Sequence, residues 1–304
     1  MSSDFYRRII ERCFPRLHIR SFTALPQGWV HYAFEVNGEF IFRFPRGVAG
    51  KHQLAVETRL LPALASTLSL PIPQFEFVWN GDETYDKPFA GHRKVPGTPL
   101  TAKDVKSSTA KQLAQQLGTF LSELHSFPVS QAERLRVPHF TPSQWRQEYR
   151  NLFARVQSKV FPLLWPPELP KVTAFWESFL NNSEHFSFVP HLIHRDLGIP
   201  HIRWDPSRQE IMGIIDWGDA SVGDSAIDFA GLLDDFGIDF ALKVLNSYRL
   251  ERDATFWRRV VFYARIVPFH ALLHAITKRD KVLVEDSLVR IRRDLSGAMS
   301  PQPT

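Results

Sequence analysis

Along the chain, apolar residues recur first at helical spacing and then in strict alternation. Over residues 4–14, Phe5, Ile9, Ile10 and Phe14 fall on one face of a short amphipathic helix. Two alternating runs follow, at 30–36 and 40–44, separated by Asn37-Gly38, the strongest short-range signal for a β-hairpin. In the second run Phe40, Phe42 and Phe44 share one side, which puts Ile41 and Arg43 on the other. A helical stretch is expected around 53–61, broken or kinked near Pro62. Strands are expected at 74–79 and 91–95. Pro96-Gly97-Thr98-Pro99 is the clearest punctuation and marks a boundary between residues 1–95 and 96–304. Beyond it, Leu113, Leu117, Phe120, Leu121 and Leu124 predict a helix over 108–125. Residues 142–186 read as helical and aromatic-rich. The segment 191–230 reads as strand, loop, strand, turn and helix, and the chain is helical again from Asp239, with a frayed tail at 296–304.

Composition narrows the class. At 304 residues, 44% hydrophobic and 23% charged, the chain can bury a large core and suits one bilobal domain or two closely packed ones. The net charge of +5 and pI near 9.4 are compatible with nucleic acid, yet Lys and Arg are scattered and form no nucleic-acid module. A basic surface facing a polyanionic nucleotide accounts for the charge equally well. Cys13 is the single cysteine, which excludes an intramolecular disulfide and fits a reducing compartment. No signal architecture opens the chain, and no apolar stretch is expected to approach the ~20 residues that span a bilayer, because Arg265 and His270 interrupt the best candidate at 263–276. The expectation is a cytoplasmic monomer that meets neither membrane nor nucleic acid.

The chemistry concentrates in two runs. His194-Arg195-Asp196 is followed five residues later by His201, and then the apolar run Gly213-Ile214-Ile215 ends in Asp216-Trp217-Gly218. A His-Arg-Asp step, a polar ligand type at that offset and a strand ending in Asp-aromatic-Gly form the phosphoryl-transfer template of the protein-kinase-like fold. Such transfer needs a carboxylate to orient and deprotonate the acceptor hydroxyl, a metal to neutralise phosphates and a cation on the nucleotide. Asp196 suits the first role and Asp216 the second. His201 stands where the template carries Asn, and it can serve as one ligand when phosphates and waters supply the rest.

Arg43, with Glu57 on the following helix, matches a strand cation paired to a helix carboxylate; Arg46 competes for the phosphates. Pro26-Gln27-Gly28-Trp29 occupies the place of a phosphate-covering loop, though with a single glycine. Asp228 near a helix start reads as a brace for the loop that carries Asp196, and His194 as a loop-positioning residue. Asp234-Asp235 is either a solvated helix face or part of the acceptor site, with Asp219 as a further carboxylate there.

These residues resemble the aminoglycoside phosphotransferase family, and within it the gentamicin-modifying 2″-phosphotransferases, over about residues 20–245. The similarity runs through Tyr32–Asn37, Phe40–Arg46, Leu70–Phe75, Pro88–Gly91, Leu121–His125, the 194–201 loop and 213–220. It implies an α+β bilobal protein-kinase-like fold, with a small β-rich N-lobe at 1–95 binding nucleotide and a larger, mainly helical C-lobe at 96–304 carrying catalytic loop, metal site and acceptor pocket. It further implies Asp196 as base, and His201 and Asp216 as Mg²⁺ ligands. Arg43 or Arg46 would meet the triphosphate, and 91–97, including Lys94 and Val95, would form the purine hinge. ATP or GTP is the co-substrate. The implied reaction is phosphorylation of an aminoglycoside hydroxyl. A macrolide, or a metabolic alcohol or sugar, is an alternative acceptor. A nucleotide-binding pseudokinase is the alternative class, in which His201 and Arg195 would mark decay; the intact Asp196 and Asp216 favour an enzyme.

Overall fold

The structure, a computed structural model, describes residues 3–26, 28 and 30–295; the expected tail at 296–304, and Gln27 and Trp29 of the expected phosphate-covering loop, lie outside them. The elements run α1 (Ser3–Cys13), β1 (Phe22–Ala24), β2 (His31–Val36), β3 (Phe40–Pro45), α2 (Val48–Leu64), β4 (Phe75–Trp79), β5 (Phe89–Arg93), β6 (Thr98–Pro99), α3 (Ser107–His125), α4 (Val129–Arg134), α5 (Pro142–Lys159) and α6 (Leu169–Leu180). They continue through β7 (His191–Ile193), β8 (Ile202–Asp205), β9 (Glu210–Ile214), β10 (Ser221–Gly223), α7 (Ile227–Phe236), α8 (Ile238–Ser247), α9 (Phe256–Lys278) and α10 (Lys281–Leu295).

The N-lobe is an antiparallel sheet in the order β1-β2-β3-β5-β4. Its hairpin turn puts Asn37 (φ 58°) and Gly38 (φ 70°) in the left-handed region that Asn-Gly adopts at small cost. Alternation in β3 holds: Phe40, Phe42 and Phe44 are buried beneath α1 with Tyr6, Ile9, Ile10 and Phe89, leaving Arg43 on the opposite face. Helix α2 covers that inner face, but its Val56, Leu60, Leu61 and Leu64 join the large core of the helical C-terminal part. A segment of the first 95 residues is therefore packed as part of the C-lobe.

Four expectations are corrected. Pro62 does not end its helix; α2 reaches Leu64, because the wholly buried Leu60, Leu61 and Leu64 outweigh one missing backbone bond in the last turn. The strand expected at 91–95 occupies Phe89–Arg93. Gly91 marks a close approach rather than a strand start: a Cβ there would come within 2.7–2.8 Å of the Phe42 ring. The core at 191–230 holds four short strands rather than two, paired as β7-β10 and β6-β8-β9. Finally, α9 is by length and composition able to cross a membrane. Here it packs between α7 and α10, with Val260, Ile266, Phe269 and Leu272 in the core.

Candidate active site

Two short sheets in the C-lobe deliver the chemical residues to one place. Strand β7 runs into the loop 194–201, and β9 runs into 215–220. Asp228, wholly buried at the start of α7, ties the first loop down: Oδ2 accepts the His194 N–H at 2.8 Å and Oδ1 the Arg195 N–H at 2.7 Å. This is the brace expected for a buried Asp at a helix start. With both amides held, Arg195 adopts φ 70°, a left-handed conformation that costs a non-glycine residue about 1 kcal/mol or more. His194 locks the next step. Its Nδ1 accepts the Asp196 N–H at 3.3 Å, and Nε2 donates to the Ile215 carbonyl at 3.0 Å, joining the two loops. Burial, the main cause, lowers its imidazole pKa, so the ring positions rather than carries charge.

Asp196 emerges from this loop with its side chain 58% exposed. The protein packed around its recess pushes the carboxyl up to about 6; His201 opposes the shift, and the Asp219 and Asp216 carboxylates add to it. The His201 ring is fixed by Nδ1 donating to the Asp196 carbonyl at 2.6 Å. That tautomer leaves the Nε2 lone pair facing Asp216 Oδ2 at 3.5 Å. Two electron-pair donors so placed suit a divalent cation between them. Among the described residues no group of three or more His, Cys, Asp or Glu converges as a metal site. The pair therefore fits an ion that takes its remaining ligands from phosphates and water, the usual habit of Mg²⁺.

Asp216 is itself left-handed, at φ 65°. Burial alone would raise its carboxyl; the Arg43 guanidinium holds it below the usual range. The cation comes from the N-lobe. Arg43 Nη1 contacts Glu57 Oε1 and Oε2 at 2.6 and 2.8 Å, and Nη2 lies 3.4 Å from Asp216 Oδ1. Glu57 also accepts the Trp217 N–H at 3.1 Å.

Of the residues singled out in the sequence, Asp196, His201, Asp216, Arg43 and Glu57 thus meet in one cleft. Asp219 stands at its edge, bonded to Gln53 Nε2 at 2.9 Å. Arg46 does not join them: it donates to the Gly28 carbonyl at 3.0 Å and lies over the Tyr32 ring. Lys94 is turned away, its ammonium paired with Glu35 and its N–H given to the Glu39 carbonyl. Val95 packs beside Gly213 of β9. The acidic pair is also committed elsewhere. Asp234 is bound by Arg290 at 2.5 Å, and Asp235 Oδ2 accepts the Ile199 N–H at 2.6 Å, supporting the loop that carries His201.

His31 was missed. Its Nδ1 accepts from Arg43 Nη2 at 3.2 Å while Nε2 donates to the Gly50 carbonyl, and burial followed by the Arg43 charge lowers it to about 4. The alternation that puts Arg43 inside also puts His31 there, two residues from Ala33, which pairs Arg43 across the hairpin.

The family model described as "Phosphotransferase enzyme family" matches residues 21–261. A type IIIa aminoglycoside 2″-phosphotransferase, solved with GDP and kanamycin, is 30% identical with a TM-score of 0.88, over 97% of this chain and 99% of that one. Viomycin phosphotransferase of Streptomyces vinaceus is 25% identical over 252 residues, 80% of this chain and 83% of its own length. The macrolide 2′-phosphotransferase of Brachybacterium faecium, at 19% identity and TM-score 0.72 over 99% and 100% of the two chains, shares the fold.

Proposed function

The chain belongs to the phosphotransferase enzyme family, and from that premise we propose that it moves the γ-phosphoryl group of ATP or GTP to a hydroxyl of a small sugar-like acceptor, with an aminoglycoside as the first to test. The observation that carries this reading is the convergence of Asp196, His201 and Asp216 beneath the Arg43–Glu57 pair. A 30% identical relative holding GDP and kanamycin supports a guanine nucleotide and an aminoglycoside.

In the proposed reaction Asp196, ionised, accepts the acceptor's hydroxyl proton as that oxygen bonds to the γ-phosphorus. The bond from γ-phosphorus to the β–γ bridging oxygen breaks, and the nucleoside diphosphate leaves with that oxygen. Asp216 and His201 would hold Mg²⁺, which neutralises phosphate charge when bound. Arg43, kept charged by Glu57 and Asp216 despite its burial, would steady the phosphates from above as the two lobes, divided at 95/96, close on the nucleotide. The rigid His194–Asp228 support keeps the base from drifting, and a misplacement of about 1 Å can cost ~10² in rate.

A second acceptor reading, a metabolic alcohol or sugar without ammonium groups, is favoured by the prior engagement of Asp234 and Asp235, which leaves few carboxylates for a polycation. Incubating the protein with Mg²⁺, GTP or ATP and a panel of aminoglycosides, macrolides and small alcohols, with the phosphate ester identified by mass, decides between them. If no acceptor gains a phosphate from either nucleotide, the phosphotransferase assignment to this site is wrong.

A further inference from the structure

Arg195 immediately precedes Asp196, and its guanidinium lies over two aromatic rings, 5.0 Å from the centroid of Phe140 and 5.1 Å from that of Trp145. Those rings stand edge to face, 5.7 Å apart and at 71° to each other. One turn further along α5, Glu148 Oε2 lies 3.5 Å from Arg195 Nη2. The Arg195 side chain is 28% exposed and that of Glu148 46%. An ion pair this open contributes little, so the planar guanidinium on the two rings is the main grip.

The ring platform is itself fixed from behind. Trp145 is wholly buried in the first turn of α5, where Thr141 and Gln144 cap the helix reciprocally. Its Nε1 donates to the Tyr263 hydroxyl at 2.9 Å. That hydroxyl donates to Asp224 Oδ2 at 2.7 Å, and Arg259 Nε donates to the same oxygen at 2.7 Å. Gly223 closes on the indole so tightly that a Cβ there would come within 2.5 Å of it. The Phe140 N–H is given to the Val222 carbonyl at 2.9 Å, and Val222 pairs with Leu192 of β7, the strand that leads into the loop. Platform and catalytic loop are thus built on one short sheet.

Asp228 already holds the Arg195 N–H, in a left-handed backbone that Gly or Asn adopts more cheaply. A backbone tether alone would favour a smaller residue, and the stacked side chain supplies the reason for Arg. We propose that Arg195 is a positioning residue, whose guanidinium on Phe140 and Trp145 ties the Asp196 loop to α5, so that the base is held by a second anchor. This rests on the phosphotransferase reading and gives Arg195 a part in it in place of a mark of decay. The amides of His194 and Arg195 fix one edge of the loop. A side chain held elsewhere fixes the direction of the Cα–Cβ bond, and with it the next peptide, which carries Asp196.

The test is a double-mutant cycle on kcat, with kanamycin or whichever acceptor the panel yields, and with melting temperature and GDP affinity measured alongside. Arg195→Asn keeps a residue suited to the left-handed backbone and removes the anchor. It should lower kcat roughly tenfold, while nucleotide KM, acceptor KM and melting temperature stay near wild type. Phe140→Leu, outside the loop, should lower kcat less, and adding it to Arg195→Asn should cost nothing further. Arg195→Lys, which keeps a cation for the rings, should recover part of the loss. The role is overturned if Arg195→Asn keeps wild-type kcat, if it raises acceptor KM at unchanged kcat, or if the two losses multiply. Hydrogen exchange of the 194–201 segment in the full chain bound to Mg-GDP reads the anchor without turnover, and should quicken in Arg195→Asn. Faster exchange there with no acceptor phosphorylated would sustain the anchor and sink the phosphotransferase reading. Turnover with kcat and exchange alike in wild type and Arg195→Asn would do the reverse, and unchanged exchange without turnover would sink both.

Discussion

A single nitrogen of Arg43 serves both carboxylate oxygens of Glu57, Nη1 lying 2.6 Å from Oε1 and 2.8 Å from Oε2. With Nη2 beside Asp216 and the Trp217 N–H on Glu57, this pair joins strand β3, helix α2 and the loop after β9. Glu57 is wholly buried, so its charge depends on that guanidinium. Arg43→Ala should therefore lower stability by roughly 3–5 kcal/mol, as expected when one partner of a buried pair is removed. It should also raise the nucleotide KM and lower kcat. Arg46→Ala, exposed and bonded to one carbonyl, should cost under about 1 kcal/mol. Urea denaturation and steady-state kinetics of both variants check the ranking; the opposite order would make Arg46 the phosphate ligand.

Asp196→Ala should leave nucleotide affinity nearly unchanged and lower kcat ~10²-fold or more, since it removes orientation and proton acceptance without removing a phosphate contact. Turnover near the wild-type level on a confirmed acceptor would show that another group is the base.

The raised carboxyl of Asp196 sets a pH dependence. Its ionised form is the base, so kcat/KM should fall as pH drops through about 6 and level off above it. The stability sign is the reverse. A carboxyl whose folded-state value lies above its unfolded one favours unfolding once pH exceeds the unfolded value, so Asp196→Asn should melt no lower than wild type at pH 7. A kcat/KM profile flat from pH 5 to 8 would separate Asp196 from the proton transfer.

Asp216→Asn should weaken Mg²⁺-dependent nucleotide binding and abolish transfer, because an anionic ligand at the phosphates is lost. His201→Asn should be milder, since an amide oxygen replaces the ring nitrogen near Asp216 Oδ2. Titrating Mg²⁺ in a nucleotide-binding assay separates the two; equal, severe losses would contradict the unequal roles.

Asp235→Ala should lower kcat with little change in acceptor KM, because it releases the Ile199 N–H that shapes the loop before His201. Asp234→Asn should act through the Arg290 contact on α10 and affect stability more than rate. If the double variant Asp234→Asn, Asp235→Asn raises kanamycin KM tenfold at unchanged kcat, the pair faces the acceptor after all.

Much of this protein was legible in one dimension because its information is local. The hairpin at Asn37-Gly38, the Phe ladder of β3, the apolar stripe of α3 and the fixed offsets among Asp196, His201 and Asp216 each follow from short-range sterics and periodicity. The strand face of Arg43 followed from alternation alone, and so could that of His31. What local pattern does not contain is which partner a charged side chain meets. Asp234 and Asp235 look like free acidic neighbours in sequence, yet Arg290, 56 residues away, takes one and the Ile199 amide, 36 residues back, takes the other. Lys94 adjoins the segment expected to act as hinge, but its ammonium pairs with Glu35. The paths of α2 through Pro62 and of β5 through Gly91 likewise turned on contacts with distant side chains. Local periodicity determined the elements and the spacing of the reactive groups. Long-range pairing of charges and close packing, which depend on segments brought together by folding, decided which of those groups remain free to act.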